Sequence, residues 1–257
     1  MSEVFQEYAS FYDLFYGEKD YAAESRYVLD LVRAHSSHPV QTLLDLGCGT
    51  GTHALSWRKQ GISVTGVEGS ERMLAQAREK VADAGGGVEL IQSDIRTLDL
   101  KRRFDVVTAM FAVVGYLTSN EDVEAGLRTA RRHLAPGRLF IFDVWYGPAV
   151  LAQQPQVREL VVPSDSNGVV VTRHARPEMN VLEHRVTVHY TVRRRIGVEI
   201  REAHAMRYFF PKELEYMLSK VGFKMIALTR FLSVTEAPRE EDWNVAVVAR
   251  AEEHGAR

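Results

Sequence analysis

The 257-residue sequence contains one cysteine, Cys48, and therefore cannot form an intramolecular disulfide. None of its apolar runs approaches the roughly 20 residues needed to cross a bilayer. The N-terminus lacks the basic stretch and apolar run that mark a secretory signal. Lysine and arginine (32) nearly balance aspartate and glutamate (34), so no basic excess indicates a nucleic-acid partner. We therefore expect a cytoplasmic globular protein without nucleic-acid or membrane partners, and we predict no metal site.

Short apolar runs alternate with helical patterns between residues 41 and 145. Five runs are typical of buried strands: QTLLDLG, ISVTGVE, VELIQSD, FDVVTAMFAVV and RLFIFDVW. Helices are predicted over THALSWRKQG, over SERMLAQAREKVADAG, and over NEDVEAGLRTARRHLAPG, which Pro136 and Gly137 close. Strands and helices that alternate in this way favour parallel pairing through right-handed crossovers. The pattern therefore predicts an α/β fold.

The alternation stops at about residue 146. Four strand-like runs follow before residue 208: VREL, GVVVTRHAR, LEHRVTVHYTVRR and VEIREAHAMRY. In the third run, Val186, Val188, Tyr190 and Val192 alternate with polar residues, which is typical of a half-buried antiparallel sheet. A predicted helix, PKELEYMLSKVGF, and two strands, KMIALTRFL and WNVAVVARA, complete the chain. We therefore predict an antiparallel β insertion after the fifth strand.

The first strand leads into a glycine-rich turn, DLGCGTG, at residues 45–51. Gly47, Gly49 and Gly51 allow the backbone to turn tightly and a ligand to touch the main chain. The spacing is G-x-G-x-G, whereas the dinucleotide-binding fingerprint is G-x-G-x-x-G. Asp45 precedes the first glycine, and its carboxylate would repel a pyrophosphate and attract a cationic amino-acid group. The turn therefore favours a ligand other than a dinucleotide.

Two further acids follow the next two strands. Glu68 ends the second strand, about 20 residues beyond the glycines, where doubly wound folds bind ribose hydroxyls. Asp94 follows the third strand, where a carboxylate accepts a hydrogen bond from an exocyclic amine such as that of adenine. Because such sheets bind ligands at the carboxyl ends of their strands, these groups point to one nucleoside site.

Five motifs in this order resemble those of a class I S-adenosylmethionine-dependent methyltransferase. They are LLDLGCGTG, the acidic end of VTGVE, the SD after the third strand, FDVV and HLAPG. The resemblance covers residues 43–145 and the two terminal strands. It implies a Rossmann-like sheet of seven mostly parallel strands with helices on both faces, and S-adenosylmethionine as the cofactor. The residues that it assigns to the cofactor are Asp45, Gly47, Cys48, Gly49, Gly51, Glu68, Gly69, Met73, Asp94, Ile95 and Met110.

The same resemblance divides the cofactor among these residues. The three glycines contact the methionine portion, and Asp45 lies near its ammonium. Glu68 holds the ribose, while Asp94 and Ile95 hold the adenine. Cys48 is interpreted as a small filler of the loop and not as a nucleophile.

A second set of features resembles one narrower family, the N-methyltransferases of nucleotide-linked amino sugars. These features are YDLFY, KDYAAE, CGTGTH, MFAVVGYL and the β insertion. This implies in-line transfer of a methyl group to the amine of a small-molecule substrate. Two alternatives stay open, which are methylation of another small metabolite at nitrogen or oxygen and S-adenosylmethionine binding without catalysis. A homodimer is possible. The arginine run 193–195 is a candidate for a substrate phosphate, or a solvated charge run.

Five residues are candidates for catalysis or substrate binding. Asp143 faces a substrate amine or caps a turn. His204 is a base, a donor to a sugar hydroxyl, or a structural histidine. Tyr116 lines the substrate cavity or packs in the core, and Trp145 is assigned to the substrate. Tyr12 is the remaining catalytic candidate, since an aromatic face stabilises a nearby cation.

The N-terminal stretch EYASFYDLFYGEKDYAAE is rich in aromatic rings. Their offsets form one stripe of a helix, and in the resembling enzymes this segment folds over the cofactor. We expect Phe11 and Phe15 to pack, and Tyr12, Tyr16 and Tyr21 to bring their hydroxyls to the cleft. Tyr16 and Tyr21 are assigned to the cofactor. The predicted organisation is a helical lid segment (1–40), a methyltransferase domain (41–145 and 208–257) and the insertion (146–207).

Overall fold

The computed structural model describes residues 4–163, 170–194 and 199–253. Its helices are α1 (Tyr12–Tyr16), α2 (Tyr21–His35), α3 (Thr52–Lys59), α4 (Glu71–Asp83), α5 (Asn120–Arg132), α6 (Gly147–Ala152) and α7 (Pro211–Lys220). Its strands are β1 (Thr42–Leu46), β2 (Ser63–Glu68), β3 (Val88–Gln92), β4 (Phe104–Ala109), β5 (Leu134–Tyr146), β6 (Arg158–Pro163), β7 (Val170–Asn180), β8 (Arg185–Arg194), β9 (Glu199–Phe209), β10 (Phe223–Arg230) and β11 (Asn244–Ala251).

Seven strands form the central sheet in the order β3-β2-β1-β4-β5-β11-β10. The first five are parallel, as Leu44 opposite Thr65 on β2 and Val107 on β4 illustrates. β11 runs antiparallel to both β5 and β10. The predicted α/β class with a mostly parallel sheet is confirmed. Because the five parallel strands share a direction, their carboxyl ends open on one edge of the sheet.

Helices cover both faces of this sheet, and each face has its own apolar core. On one face, Trp57 of α3 and Leu31 of α2 are fully buried against β1 and β11. On the other, Leu127 of α5 and Leu218 of α7 pack on Phe142 of β5. The helix starts follow the sequence signals, since the Ser70 hydroxyl accepts the backbone N–H of Met73 at the start of α4.

The insertion forms an antiparallel sheet in the order β6-β7-β8-β9. β9 continues the central sheet by pairing in parallel with the end of β5, where Trp145 lies opposite Tyr208. Along β8, the alternation predicted from the sequence is confirmed, because Val186, Val188 and Val192 are buried. The N-terminal segment, residues 4–24, packs through its rings against this buried face.

The predicted end of α5 is wrong. The helix stops at Arg132, and β5 begins at Leu134, before Pro136 and Gly137. Leu134 pairs with Phe104, and the register then shifts, so the two residues sit within an irregular strand and not after a helix. The short helix α6 and a 3-10 turn, Val113–Tyr116, lack a long helical stripe and were not predicted. Within the described ranges, no helix is long and apolar enough to cross a membrane.

Candidate active site

A cavity of about 420 Å³ opens at the carboxyl ends of the parallel strands. The ends of β1 to β5 form its floor, and the N-terminal segment, the 3-10 turn and β9 form its walls. Its sequence-predicted lining residues are Tyr12, Tyr16, Gly47, Gly49, Glu68, Gly69, Met73, Ile95, Met110, Tyr116, Asp143 and Trp145. The fold thus brings together side chains that are far apart in the sequence.

The glycine loop wraps over the end of β2. The backbone N–H groups of Gly47 and Cys48 both donate to the carbonyl oxygen of Val67, at 2.8 and 2.9 Å. Gly47 has φ +74°, and a Cβ there would lie 2.6 Å from both terminal carbons of Val113. A side chain at this position would therefore collide with Val113, so the loop packs closely on the turn after β4 only with glycine here. Gly51 begins α3 with φ +79°, close to Ala77, and the described lining residues do not include it.

Glu68 ties the loop to the next helix. One carboxylate oxygen accepts the N–H of Gly49 at 2.9 Å, and the other accepts the N–H of Ser70 at 2.8 Å. Burial raises the pKa of this carboxyl group above its usual value, although these N–H groups oppose the change. A carboxylate has about four acceptor positions, so Glu68 retains acceptor capacity toward the cavity. The arrangement suits two vicinal hydroxyls.

Asp45 lies beneath the glycine loop and is 2% exposed. It accepts the Thr108 hydroxyl at 2.9 Å, and the described residues that line the cavity do not include it. Burial raises its pKa from 3.8 to about 7, and the charge of Glu68 adds to the rise. Cys48 is also buried, against Gly66, and burial raises the pKa of its thiol. A thiol held protonated in this way is a poor nucleophile.

The pKa of Asp45 sets an expected pH dependence of stability. Between pH 4 and pH 7 the folded state keeps a proton that the unfolded state releases, so the free energy of unfolding falls as pH rises. At about 1.36 kcal/mol per pKa unit, the fall approaches 4 kcal/mol. Urea unfolding of the wild type and of Asp45→Asn across this range measures the difference. Parallel stability curves for the two proteins would contradict the assignment.

Asp94, expected to hold the adenine, forms an ion pair with a neighbouring arginine. Its carboxylate binds Arg96, with 2.6 Å to Nη2 and 3.1 Å to Nε, and Arg96 also binds Asp122. The described lining residues include its neighbours Ser93 and Ile95 but not Asp94. Burial raises its pKa, but the bonds from Arg96 outweigh this effect and lower the pKa overall. Arg96 therefore competes with the adenine contact that the resemblance implies for Asp94.

Asp143 holds the loop that follows β4. Its two oxygens accept the backbone N–H groups of Phe111 and Ala112, at 2.5 and 3.0 Å. Both of those residues have positive φ, 72° and 56°, which is unusual for residues other than glycine. Burial raises the pKa of Asp143 to about 6, partly opposed by the two N–H groups and by the charge of Lys19. Asp143 therefore caps a turn in the cavity wall, which is one of the two roles that the sequence left open for it.

The N-terminal rings divide between the cavity and the core. Tyr12 and Tyr16 line the cavity, with ring centroids 4.8 Å apart. Tyr16 also accepts a hydrogen bond from Nη1 of Arg173 at 3.2 Å. Phe15 is buried and Phe11 partly buried.

Tyr21 is the third tyrosine of the N-terminal segment that was expected at the cleft. Its ring packs edge-on against His53, 4.8 Å away, and the described lining residues of the cavity do not include it. Tyr21 is the first residue of α2, which Asp20 caps by accepting the N–H of Ala23. The helix therefore directs the Tyr21 side chain toward α3.

His204 and Tyr116 are neighbours. Of the two, Tyr116 lines the cavity, and the described lining residues do not include His204. The Tyr116 hydroxyl lies 3.2 Å from Nδ1 of His204, which is 2% exposed. Trp145 lines the cavity and packs edge-on against Trp243. Arg193 forms an exposed ion pair with Glu199, and Arg195 lies outside the described residues.

Several lining residues were missed by the sequence analysis. They include Phe5, Ser70, Ser93, Phe111, Thr118, Tyr190 and Asn244. Ser93 belongs to the SD motif already noted, so its position was a usable signal. Asn244 is the first residue of β11, and its Oδ1 is buried without a hydrogen-bond partner among the described residues. Nothing in its local sequence marks it, because the cavity reaches it through the pairing of β11 with β5.

Comparisons with known proteins agree with this geometry. A family profile described as a methyltransferase domain matches residues 43–137. The chain is 35% identical over 224 residues to dTDP-3-amino-3,4,6-trideoxy-alpha-D-glucopyranose N,N-dimethyltransferase of Streptomyces venezuelae, covering 85% of this chain and 91% of that protein. The crystal structure of DesVI from Streptomyces venezuelae superposes with a TM-score of 0.77 and 30% identity, covering 95% of this chain and 98% of that one.

A further structure carries the cofactor. CalS10 of Micromonospora echinaspora, an amino pentose methyltransferase solved with S-adenosylmethionine bound, superposes with a TM-score of 0.74 and 26% identity. The match covers 96% of this chain and 97% of that one. Taken with the glycine loop and Glu68, these likenesses show that the chain belongs to the class I S-adenosylmethionine-dependent methyltransferases, in the family of the amino-sugar N,N-dimethyltransferases.

Proposed function

We propose that this enzyme methylates the amino group of a nucleotide-linked amino sugar. The observation that carries the proposal is one cavity lined both by the glycine loop with Glu68 and by residues of the insertion. We assign the glycine loop and Glu68 to the cofactor end, which suits a nucleoside with an amino-acid tail. We assign Trp145, Tyr116 and the insertion to the acceptor beside it. The names of the relatives support an amine on a nucleotide-linked sugar as the acceptor.

The residues of the cofactor end fit S-adenosylmethionine. Gly47 has a positive φ and lines the cavity without a side chain, and Glu68 has acceptor capacity left for ribose hydroxyls. We assign Ile95, Met73 and Met110 to the apolar walls of this end. When bound, the cofactor supplies an electrophilic methyl group on a sulfonium centre. The chain itself needs to hold the acceptor amine in line with the sulfur–methyl bond.

Aromatic rings form the wall around this position. Tyr12 and Tyr16 lie on one side, and Phe111 presents its ring at 5.1 Å from Tyr16. Aromatic faces stabilise a neighbouring cation by about 0.5–2 kcal/mol. Orientation of the two reactants supplies several kcal/mol more. We infer that the enzyme accelerates transfer mainly by positioning a neutral amine, with the N-terminal segment and the insertion excluding water from the cavity.

A substrate comparison tests this function. We expect methyl transfer from labelled S-adenosylmethionine to dTDP-sugars with a 3-amino or 4-amino group. Matched sugars with a hydroxyl at the same carbon should accept no label, because a neutral hydroxyl is a much weaker nucleophile. Mass spectrometry of the product counts the methyl groups. Transfer to the hydroxyl sugars alone, or no transfer with any sugar while the cofactor binds, would overturn the proposal.

A further inference from the structure

A hydrogen-bonded chain of three side chains runs from the cavity wall to the N-terminal segment. The Tyr116 hydroxyl lies 3.2 Å from Nδ1 of His204, and Nε2 of His204 lies 3.3 Å from the Glu202 carboxylate. Glu202 also accepts the backbone N–H groups of Phe5 at 3.0 Å and Tyr8 at 2.8 Å. Tyr116 therefore lines the cavity, and Glu202 at the other end of these hydrogen bonds fixes the segment that covers the cavity.

The surroundings of these three side chains restrict the protonation of Glu202 and Tyr116. The rings of Phe5, Tyr8 and Tyr190 lie within 5.4 Å of the His204 ring, which solvent barely reaches. Burial raises the pKa of Glu202, but the hydrogen bonds from His204 and Tyr8 outweigh burial and lower it overall, so this group is an ionised acceptor. Burial raises the pKa of Tyr116 well above its usual value, so its hydroxyl keeps its proton.

With His204 neutral, these constraints select one arrangement of protons. An ionised carboxylate only accepts hydrogen bonds, so Nε2 of His204 carries a hydrogen. In a neutral imidazole, Nδ1 is then an acceptor. The remaining donor at Nδ1 is the Tyr116 hydroxyl, and donation there turns its hydrogen away from the cavity. The oxygen of Tyr116 is left with lone pairs only.

We propose that Tyr116 presents an acceptor-only oxygen to the cavity and takes an N–H of the substrate amine, with His204 and Glu202 as positioning residues. An amine that donates one N–H to a fixed oxygen has its lone pair held in a defined direction, toward the transferable methyl group. Glu202 also holds the backbone of Phe5 and Tyr8, so it connects these hydrogen bonds to the N-terminal segment. The inference rests on the proposed amine acceptor.

The tautomer of His204 is measured directly. We expect the ring ¹⁵N shifts of the wild type, assigned by comparison with His204→Gln, to show hydrogen on Nε2 and none on Nδ1. A hydrogen on Nδ1 would overturn the inference even if the enzyme methylates amino sugars. This measurement uses no substrate, so its failure is distinct from failure of the proposed function, which the absence of wild-type turnover would show.

Kinetics of matched variants give the second measurement. Tyr116→Phe should lower kcat/KM for the amino sugar about 5- to 30-fold, the loss for about one to two kcal/mol of hydrogen bonding, and leave the Kd for S-adenosylmethionine unchanged. Asparagine can place its amide oxygen near the former Nδ1 position, and glutamine reaches the Nε2 position. His204→Asn should therefore retain more activity than His204→Gln. Equal kcat/KM for the wild type and Tyr116→Phe would overturn the inference.

A second histidine–glutamate pair on the same sheet serves as the control. Nε2 of His189 lies 3.3 Å from Glu178, and both side chains reach solvent. Glu178→Gln should leave kcat/KM unchanged. Glu202→Gln should lower it and also speed hydrogen exchange at Phe5 and Tyr8. Unchanged exchange there would show that Glu202 does not hold the N-terminal segment.

Discussion

Glu68→Gln is expected to raise the Kd for S-adenosylmethionine about 100-fold. The carboxylate holds the N–H groups of Gly49 and Ser70 and faces the cavity with its remaining lone pairs. Glutamine replaces one oxygen by an NH2 group, which meets an N–H instead of accepting from it. Loss of two charge-assisted hydrogen bonds from the ribose hydroxyls to Glu68, at about 1.5 kcal/mol each, gives this factor.

Titration calorimetry with S-adenosylmethionine and with its demethylated product checks the result. Both ligands share the ribose, so both affinities should fall together. Glu71→Gln is the matched control, because Glu71 lies three residues further on and is exposed in the first turn of α4. Its Kd should equal that of the wild type. If Glu68→Gln binds as tightly as the control, Glu68 does not hold the ribose.

Local patterns explain why much of the fold could be predicted. The buried strands are continuous apolar runs, the helices carry periodic stripes, and β8 alternates strictly. The glycine loop is equally local, since Gly47, Gly49 and Gly51 all have positive φ. The error at the end of α5 arose because pairing of Leu134 with Phe104 on β4 overrides the local turn signal of Pro136.

Contacts between distant residues explain what could not be predicted. Glu202 meets Tyr8 across 194 residues, and Asp143 meets Phe111 across 32. Neither pair leaves a pattern in the sequence, because each depends on the register of strands within the two sheets. The ion pair of Asp94 with Arg96 is different. It spans two residues, so the competing partner was visible beside the motif.

Asp143→Asn is the second change with a large expected effect. Asp143 accepts two backbone N–H groups, and asparagine accepts one of them while its NH2 group opposes the other. A buried N–H without a partner costs about 1–3 kcal/mol. The two bonds also hold Phe111 and Ala112 at positive φ, a backbone conformation that costs about 1–2 kcal/mol per residue outside glycine. We therefore expect the free energy of unfolding to fall by about 2–3 kcal/mol.

The same change should also impair methyl transfer. Phe111 and Ala112 line the cavity, and Phe111 packs edge-on against Tyr12 and Tyr16. When their backbone relaxes, the wall beside the acceptor amine shifts, and a misplacement of about 1 Å costs on the order of 100-fold in rate. Urea unfolding and kcat/KM for the amino sugar, measured well below the unfolding transition, give the two effects separately.

Asp105→Asn separates a site effect from general destabilisation. Asp105 also accepts two backbone N–H groups, those of Gln41 and Thr42, both on one oxygen, and its other oxygen pairs with Arg138 at 3.0 Å. It lies near the start of β4, at the opposite edge of the sheet from the cavity. Asp105→Asn should lower the free energy of unfolding, because the ion pair with Arg138 is lost, and leave kcat/KM unchanged. Equal loss of kcat/KM in both variants would mean that the activity follows stability alone. Full activity in Asp143→Asn would show that the loop after β4 does not shape the acceptor position.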